Sequence, residues 1–355
     1  MGQRIRSSLA GCLTVLGLAA ACGGHPTPAG TSVSAAGYSQ QAELAPSDAS
    51  GDDFGVSVAL SASGTTALVG NDLHKLSTGA AYVFTLWGGS WSQTAELTPS
   101  GGAQADDFGF SVALSASGTT ALVGAPGRHS DTGAAYLFTL RGGTWSQTAE
   151  LTASDGARKD AFGDSVALSA SGTTALAGAP GRHSDTGAAY LFRLRGGTWS
   201  QTAELTASNG VPGDQLGYPV ALSASGTAAL AGAAQSNAQT GAAYVFTLRS
   251  GTWSQIAELT ASDGTATDAF GISMALSASG TTALAGATGR NFDTGTVYVF
   301  TLRGGTWSQT AELTASNEYA GVFGRSVALS SLGTTALIGA PLQSAAYVFA
   351  EGGRV

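Results

Sequence analysis

Gly127-Arg128-His129-Ser130-Asp131 recurs as Gly181-Arg182-His183-Ser184-Asp185, and Arg290-Asn291-Phe292-Asp293 is a third variant of the same stretch. Charged side chains crowd together there. An arginine offers a planar fork of donors to a carboxylate or a sugar hydroxyl pair. Arg128, His129, Asp131, Arg182, His183, Asp185, Arg290 and Asp293 therefore form the candidate binding face. The competing reading is that they are turn residues copied along with their loop. His129 and His183 could approach one another, but two histidines without a carboxylate in a recognisable spacing do not make a metal site. No metal and no other cofactor is expected.

Carboxylates recur as well. Asp52, Asp106, Asp160, Asp214 and Asp268 each stand two residues before a Phe-Gly or Leu-Gly pair. Glu43, Glu96, Glu150, Glu204, Glu258 and Glu312 form a second series. An acid–base pair needs unlike environments for its two members, whereas copies of one position share one environment. The aspartates read as local turn formers and the glutamates as solvated charges that discourage edge pairing. His74-Lys75 and Arg158-Lys159 read as solvated loop charge. Neither a Ser/His/Asp nor a Cys/His set stands out, and cysteine occurs only at Cys12 and Cys22. No catalytic residue is expected, and the chain is read as a non-enzyme. Trp91, Trp145, Trp199, Trp253 and Trp307 could stack on sugars; packing against a neighbouring sheet is the better reading of so large a side chain. Trp87 falls outside that series and is expected at the surface.

What must position these residues is a repeat. Phe-Gly occurs at Phe54, Phe108, Phe162, Phe270 and Phe323, with Leu216-Gly217 in the remaining slot, so the spacing is 54 residues four times and then 53. A period near 50 built from several short strands signals a radial β-architecture. In the copy that begins at Phe108, four runs alternate with Gly-, Ser- or Pro-bounded turns: residues 111–115, 120–125, 134–140 and 145–152. The third run puts Tyr136, Phe138 and Leu140 on one face and Ala135 and Leu137 on the other. A strand apolar on both faces lies between layers. The small residues of the first run suit the crowded strand nearest an axis. The expected fold is all-β: a six-bladed β-propeller with four antiparallel strands per blade.

The two ends of the repeat array fit each other. Tyr38-Ser39-Gln40-Gln41-Ala42-Glu43-Leu44 aligns with the fourth run, as in Trp91-Ser92-Gln93-Thr94-Ala95-Glu96-Leu97, while the last copy stops after its third run at Ala346-Tyr347-Val348-Phe349. The expectation is a ring closed by an N-terminal strand that completes the last blade. Along the chain this gives residues 1–21 as a lipoprotein-type signal peptide, 22–36 as a flexible tether, 37–350 as the propeller and 351–355 as a tail. The signal reading rests on Arg4 and Arg6 before the apolar stretch Gly11–Ala21, followed by Cys22 as the lipidated residue. Ordinary cleavage near Ala21, giving a secreted protein, is the alternative.

Composition limits the partners. The chain is 43% hydrophobic and 11% charged, with 52 glycines, which suits a turn-rich β-protein and not a disordered one. Its formal charge of −8 becomes −10 once Arg4 and Arg6 leave with the signal. An acidic protein with so few lysines is a poor nucleic-acid binder. Membrane contact is expected only through the lipid anchor, and a monomer is expected.

Phe-Gly before the first strand and Gly-Ala-Pro after the second, at Gly124-Ala125-Pro126, Gly178-Ala179-Pro180 and Gly339-Ala340-Pro341, make the chain resemble FG-GAP repeats, the units of integrin α-subunit propellers. The copies at Gly232-Ala233-Ala234, Gly286-Ala287-Thr288 and Gly70-Asn71-Asp72 are degenerate. The resemblance covers residues 38–350 and points to the bacterial secreted members. It implies a non-catalytic extracytoplasmic binding or adhesion scaffold for a protein or glycan at the cell surface. Integrin propellers have seven blades, against six copies here. Their Asp-rich calcium loop is replaced by Ser61-Ala62-Ser63-Gly64-Thr65 and its copies, which offer a hard cation no carboxylate. A carbohydrate-binding lectin is the alternative function, and a glycan-active hydrolase or lyase the least expected. Successive connections of an antiparallel blade alternate sides, so the loop after strand two shares a face with the blade-to-blade crossing. That face varies between copies, and binding is expected there.

Overall fold

The computed structural model describes residues 42–48, 53–315, 321–343 and 345–351. Cys22, the signal segment and the tether lie outside the described residues.

The protein is a six-bladed β-propeller. Blade two shows why each run becomes a strand. Its inner strand is Ser111–Leu114, its second Thr120–Ala125, its third Ala134–Arg141 and its outer strand Thr144–Leu151, all antiparallel and in chain order across the sheet. Between the inner and second strands, Ser115 Oγ accepts from the Thr120 amide at 3.0 Å, and Ser115, Ser117 and Thr119 link hydroxyl to hydroxyl. These serines close a turn, which is why no carboxylate is needed there. Blades one, three, four and five repeat the plan.

Inner strands of successive blades touch one another, so they line the axis, and the third strands form the walls between blades. Tyr136 and Phe138 pack with Leu68 and Val83 of blade one; Ala135 and Leu137 pack with Tyr190 and Phe192 of blade three. The two-faced strand expected from the sequence is thus a two-sided wall. The buried Phe108 ring meets Tyr136 and Phe138 edge-on at 5.6 and 6.0 Å, a preferred aromatic geometry. The tryptophans pack at the same walls, Trp145 against the blade one–two core and Trp199 against the next, while Trp87 is exposed.

The glycines of the two motifs meet across each junction. A Cβ on Gly124 would lie 1.9 Å from the carbonyl oxygen of Gly163, which itself takes a left-handed φ of +89°. Ser111 Oγ donates to that same carbonyl at 2.8 Å. Phe-Gly of one blade and Gly-Ala-Pro of the blade before it are therefore two halves of one contact that no side chain can enter.

Blade six has three strands among the described residues: Ser326–Leu329, Thr335–Ala340 and Ala345–Ala350. Of the segment expected to supply its fourth strand, residues 38–41 lie outside the described residues and 42–46 carry no strand pairing. What is described of this segment lies against blade one. Ser47 N donates to Gln93 Oε1 at 2.8 Å, just as Ser100, past the outer strand of blade one, donates to Gln147 of blade two. Leu44 packs on the face formed by Ala67, Val69, Tyr82 and Phe84. Residues 42–48 thus hold the place on blade one that the end of an outer strand holds on each following blade.

Candidate functional site

The loop after strand two and the crossing between blades do share a face, as the strand order requires. Arg128, in the four-residue turn Arg128–Asp131, reaches the crossing that leads into its own blade: Nη1 donates to the Gly101 carbonyl at 2.7 Å and to Asp106 Oδ2 at 2.9 Å. Its Nε lies 3.9 Å from Glu150 Oε1. Arg182 repeats this with Asp155, Asp160 and Glu204, and Arg290 with Asp263 and Asp268. The three guanidinium groups are turned inward and largely enclosed. They fasten the loop to the crossing, and the outward surface is made by their neighbours.

The aspartates two residues before Phe-Gly are turn formers, as expected. Asp106, Asp160, Asp214 and Asp268 are buried, and each accepts an amide three residues back, from Ala103, Ala157, Val211 and Thr265 at 2.7–2.8 Å. Asp52 lies outside the described residues. The glutamates correct the sequence reading: they are not merely solvated edge charges. Glu150 accepts from the Tyr136 hydroxyl at 3.1 Å and contacts His129 Nε2 at 3.1 Å. Glu204 holds Tyr190 and His183 in the same way. Burial, then the adjacent carboxylate, pushes the Tyr136 and Tyr190 phenols far above their ordinary range, so both stay protonated donors. His129 and His183 are each held by the glutamate of their own blade and are not brought together.

The loop tips have one backbone and several side chains. His129, His183, Lys75, Asn237 and Asn291 all lie near φ 50°, ψ 50°, and the next residues, Ser130, Ser184, Leu76, Ala238 and Phe292, near φ 60°, ψ 50°. Left-handed backbone costs a residue with a Cβ about 1–2 kcal/mol. The strain is held by the bonds around it: the Asp131, Asp185 and Asp293 carbonyls accept the Ala161, Gln215 and Val322 amides of the next crossing. Asp131 is partly buried, whereas Asp185 and Asp293 are exposed. Phe292 and Leu76 stand out in water, 103% and 74% exposed.

Blade one departs from the pattern, and the sequence reading of His74-Lys75 needs correcting there. Lys75 is exposed, but His74 takes the place of the inward arginine and is buried. Its Nε2 lies 3.3 Å from Asp48 Oδ2 and 3.7 Å from Glu96 Oε1.

A second unlike set lies at the axis. The residue after each Phe-Gly, or after Leu216-Gly217, reads Val56, Phe110, Asp164, Tyr218, Ile272 and Arg325, different in all six copies. Tyr218 of blade four is hydrogen-bonded to Arg325 of blade six and feels the charge of Asp164 of blade three. A partner two blades away is reachable only across the axis. Asp164 Oδ1 is shut off from water with no hydrogen-bond partner, and burial raises the carboxyl to about 7. The sequence reading missed Asp48, Asp164, Tyr218 and Arg325, and took Glu96 for a solvated edge charge. Comparing the copies position by position, instead of searching for motifs, would have flagged the axial three.

These repeats match the model of the FG-GAP repeat in six tandem units, at residues 38–84, 91–138, 145–192, 199–246, 253–300 and 307–349. The chain belongs to the FG-GAP repeat family. From the second unit on, each FG-GAP unit begins at the outer strand of one blade and ends with the third strand of the next, the stagger seen in the fold. No curated protein matches the chain. Among solved structures it is similar to hydrazine synthase of Kuenenia stuttgartiensis, with a TM-score of 0.58 and 15% identity over 83% of this chain and 82% of that one. A provisionally named 6-phosphogluconolactonase of Bacteroides fragilis NCTC 9343 is similar with a TM-score of 0.59 and 15% identity over 83% and 79%. At such identity the likeness concerns the fold alone.

Proposed function

We propose that this FG-GAP propeller is a non-catalytic binding scaffold acting outside the cytoplasm, with a protein or glycan at the cell surface as its partner. One observation carries the reading. Five loops share one strained backbone yet present Leu76, Ser130, Ser184, Ala238 and Phe292 at the same point of the tip. A rigid frame with interchangeable exposed tips is the arrangement that recognition surfaces use. Placement at the membrane through Cys22 rests on Arg4, Arg6 and the apolar stretch before that cysteine.

The test offers the immobilised propeller to cell-surface extracts and to a glycan array. Wild type should retain a partner, and Leu76→Ser combined with Phe292→Ser should weaken retention at least about tenfold, the scale of one or two interface anchors. Retention unchanged in that variant would remove the loops from the proposal. Sugar binding lost on replacing the tryptophans would favour the lectin, although those side chains are engaged in packing between blades. Cys22→Ala should free the protein from membranes, and persistent anchoring would reject the lipoprotein assignment.

A second reading, a glycan-active hydrolase or lyase, draws on Asp164 alone, because a carboxyl near 7 at the axis has the acidity general acid–base work needs. Its missing element is a second acid of unlike environment. Glycan cleavage abolished by Asp164→Asn would establish it.

A further inference from the structure

Asp48, His74 and Glu96 present three ligand atoms that all lie within 4.8 Å of one another. We propose that they form a binding site for one divalent transition-metal ion of the zinc type. The proposal stands apart from the loop-tip reading and holds whichever partner the tips bind.

The other blades supply the control. Asp48 and Glu96 correspond by repeat to Asp155 and Glu204, and His74 to Arg182. In blade three a guanidinium fills the space between the carboxylates with a permanent charge and several donors. Blade one keeps the two carboxylates and replaces the guanidinium by an imidazole, a much smaller group and a metal ligand when neutral. Among the described residues Lys75 also reaches this group, its Nζ 3.5 Å from Glu96 Oε1 on a side chain 66% exposed.

Two of the three donor spacings suit a metal as they stand, and the third, between the carboxylates, is at most 4.8 Å. Ligand bonds of 2.0–2.1 Å in a tetrahedron put neighbouring donor atoms about 3.4 Å apart. The two distances from His74 Nε2 are 3.3 and 3.7 Å. His74 is buried while Asp48 and Glu96 are exposed, so one rigid ligand faces two that solvent and an ion can reach. The Tyr82 hydroxyl donates at 3.0 Å to the same Asp48 Oδ2 that faces His74 and so orients that carboxylate, the role outer partners have at metal sites. One histidine with two carboxylates leaves a tetrahedral ion a fourth position for water.

Position adds a consequence. Asp48 belongs to the segment entering from the N-terminus, whereas His74 and Glu96 belong to blade one. A bound ion would cross-link the two.

The test is zinc binding by the full chain carrying Cys12→Ser and Cys22→Ser, since thiolates bind zinc themselves. Calorimetry or competition with a chromogenic chelator should find one Zn²⁺ per chain at this site, and hydrogen exchange at residues 42–48 should slow when zinc is added. His74→Arg installs the side chain of blades two, three and five, so it should fold normally and weaken zinc binding by about tenfold or more. Asp48→Asn, at an exposed position, should do the same. The proposal fails if wild type takes up no zinc at about 1 mM, or if both variants bind it as wild type does.

Discussion

Leu122 and Leu337 occupy the same place in blades two and six, and their surroundings could hardly differ more. Leu122 is fully buried in the wall between blades two and three, while Leu337 is 47% exposed. Leu137 and Val348 form a second such pair, fully buried and 58% exposed. At the opposite side of the seam, Val58 and Leu60 on the inner strand of blade one are 70% and 59% exposed, whereas their counterparts Val112 and Leu114 are partly buried. The bare faces are the two that every other pair of adjacent blades presses together. Sheet alone does not make the core of this protein: each blade has an apolar side only because a neighbour covers it.

The largest effect should separate these two leucines. Leu122→Ala should cost about 2–5 kcal/mol, the usual range for a buried leucine, and Leu337→Ala about 1 kcal/mol or less, measured by urea unfolding. Equal costs would mean that the seam is covered in solution, and the comparison would fall.

A smaller contrast concerns the motif glycines. Gly124→Ala drives a methyl into the Gly163 carbonyl of the next blade, whereas the nearest atom to a Cβ on Gly339 is Ser326 Oγ, 2.4 Å away. The Gly163 amide donates to Gly178 and its carbonyl accepts from Ser111 Oγ, so that carbonyl is held in place, whereas a hydroxyl can turn aside. Gly124→Ala should lose about 2–3 kcal/mol, as overpacked sites do, and Gly339→Ala clearly less. A Gly339→Ala penalty as large as that of Gly124→Ala would place blade-six backbone against a neighbour.

Between enclosed junctions, Asp164 should make stability depend on pH. Its native carboxyl lies near 7 and its unfolded one near the ordinary value of about 3.9. Between those values the native state holds a proton that the unfolded state has lost, so stability falls as pH rises from about 4 to 7 and levels off above. Asp164→Asn lacks that fall. Its stability relative to wild type should therefore climb from pH 4.5 to pH 8. A difference independent of pH would show that this carboxyl is not enclosed. Burial also raises Asp72, to about 6, and taking the difference between two proteins removes its contribution.

Much of this architecture could be read from the chain because repetition made each signal redundant. Tyr136, Phe138, Ala135 and Leu137 announced a two-sided wall by alternation, and the structure put each on the expected side. The site was less legible. Arg128 looks like a free donor in sequence, yet its partners Gly101 and Asp106 sit more than twenty residues upstream, and only the crossing brings them together. His74 resembles loop charge until its counterparts in blades two, three and five are seen to be largely enclosed arginines. Asp164 carries no motif, and the Tyr218 that feels its charge belongs to another blade.

The smallest effect returns to the seam from its other side. Leu44 and Leu97 are repeat equivalents, but Leu97 is 2% exposed in the wall between blades one and two, while Leu44 is only partly buried on blade one. With residues 42–46 unpaired to any strand, Leu44→Ala should cost about 1 kcal/mol, against about 2–4 kcal/mol for Leu97→Ala. Combining Leu44→Ala with Leu337→Ala separates two arrangements of the seam. If the segment that carries Leu44 touches blade one alone, the two costs should add, as costs at separate sites do. If its strand also pairs with Ala345–Ala350, the two leucines share a wall, and the double variant should depart from the sum by more than about 0.5 kcal/mol. The same unfolding curves therefore decide whether the wheel is fastened by contact on one side of its seam or on both.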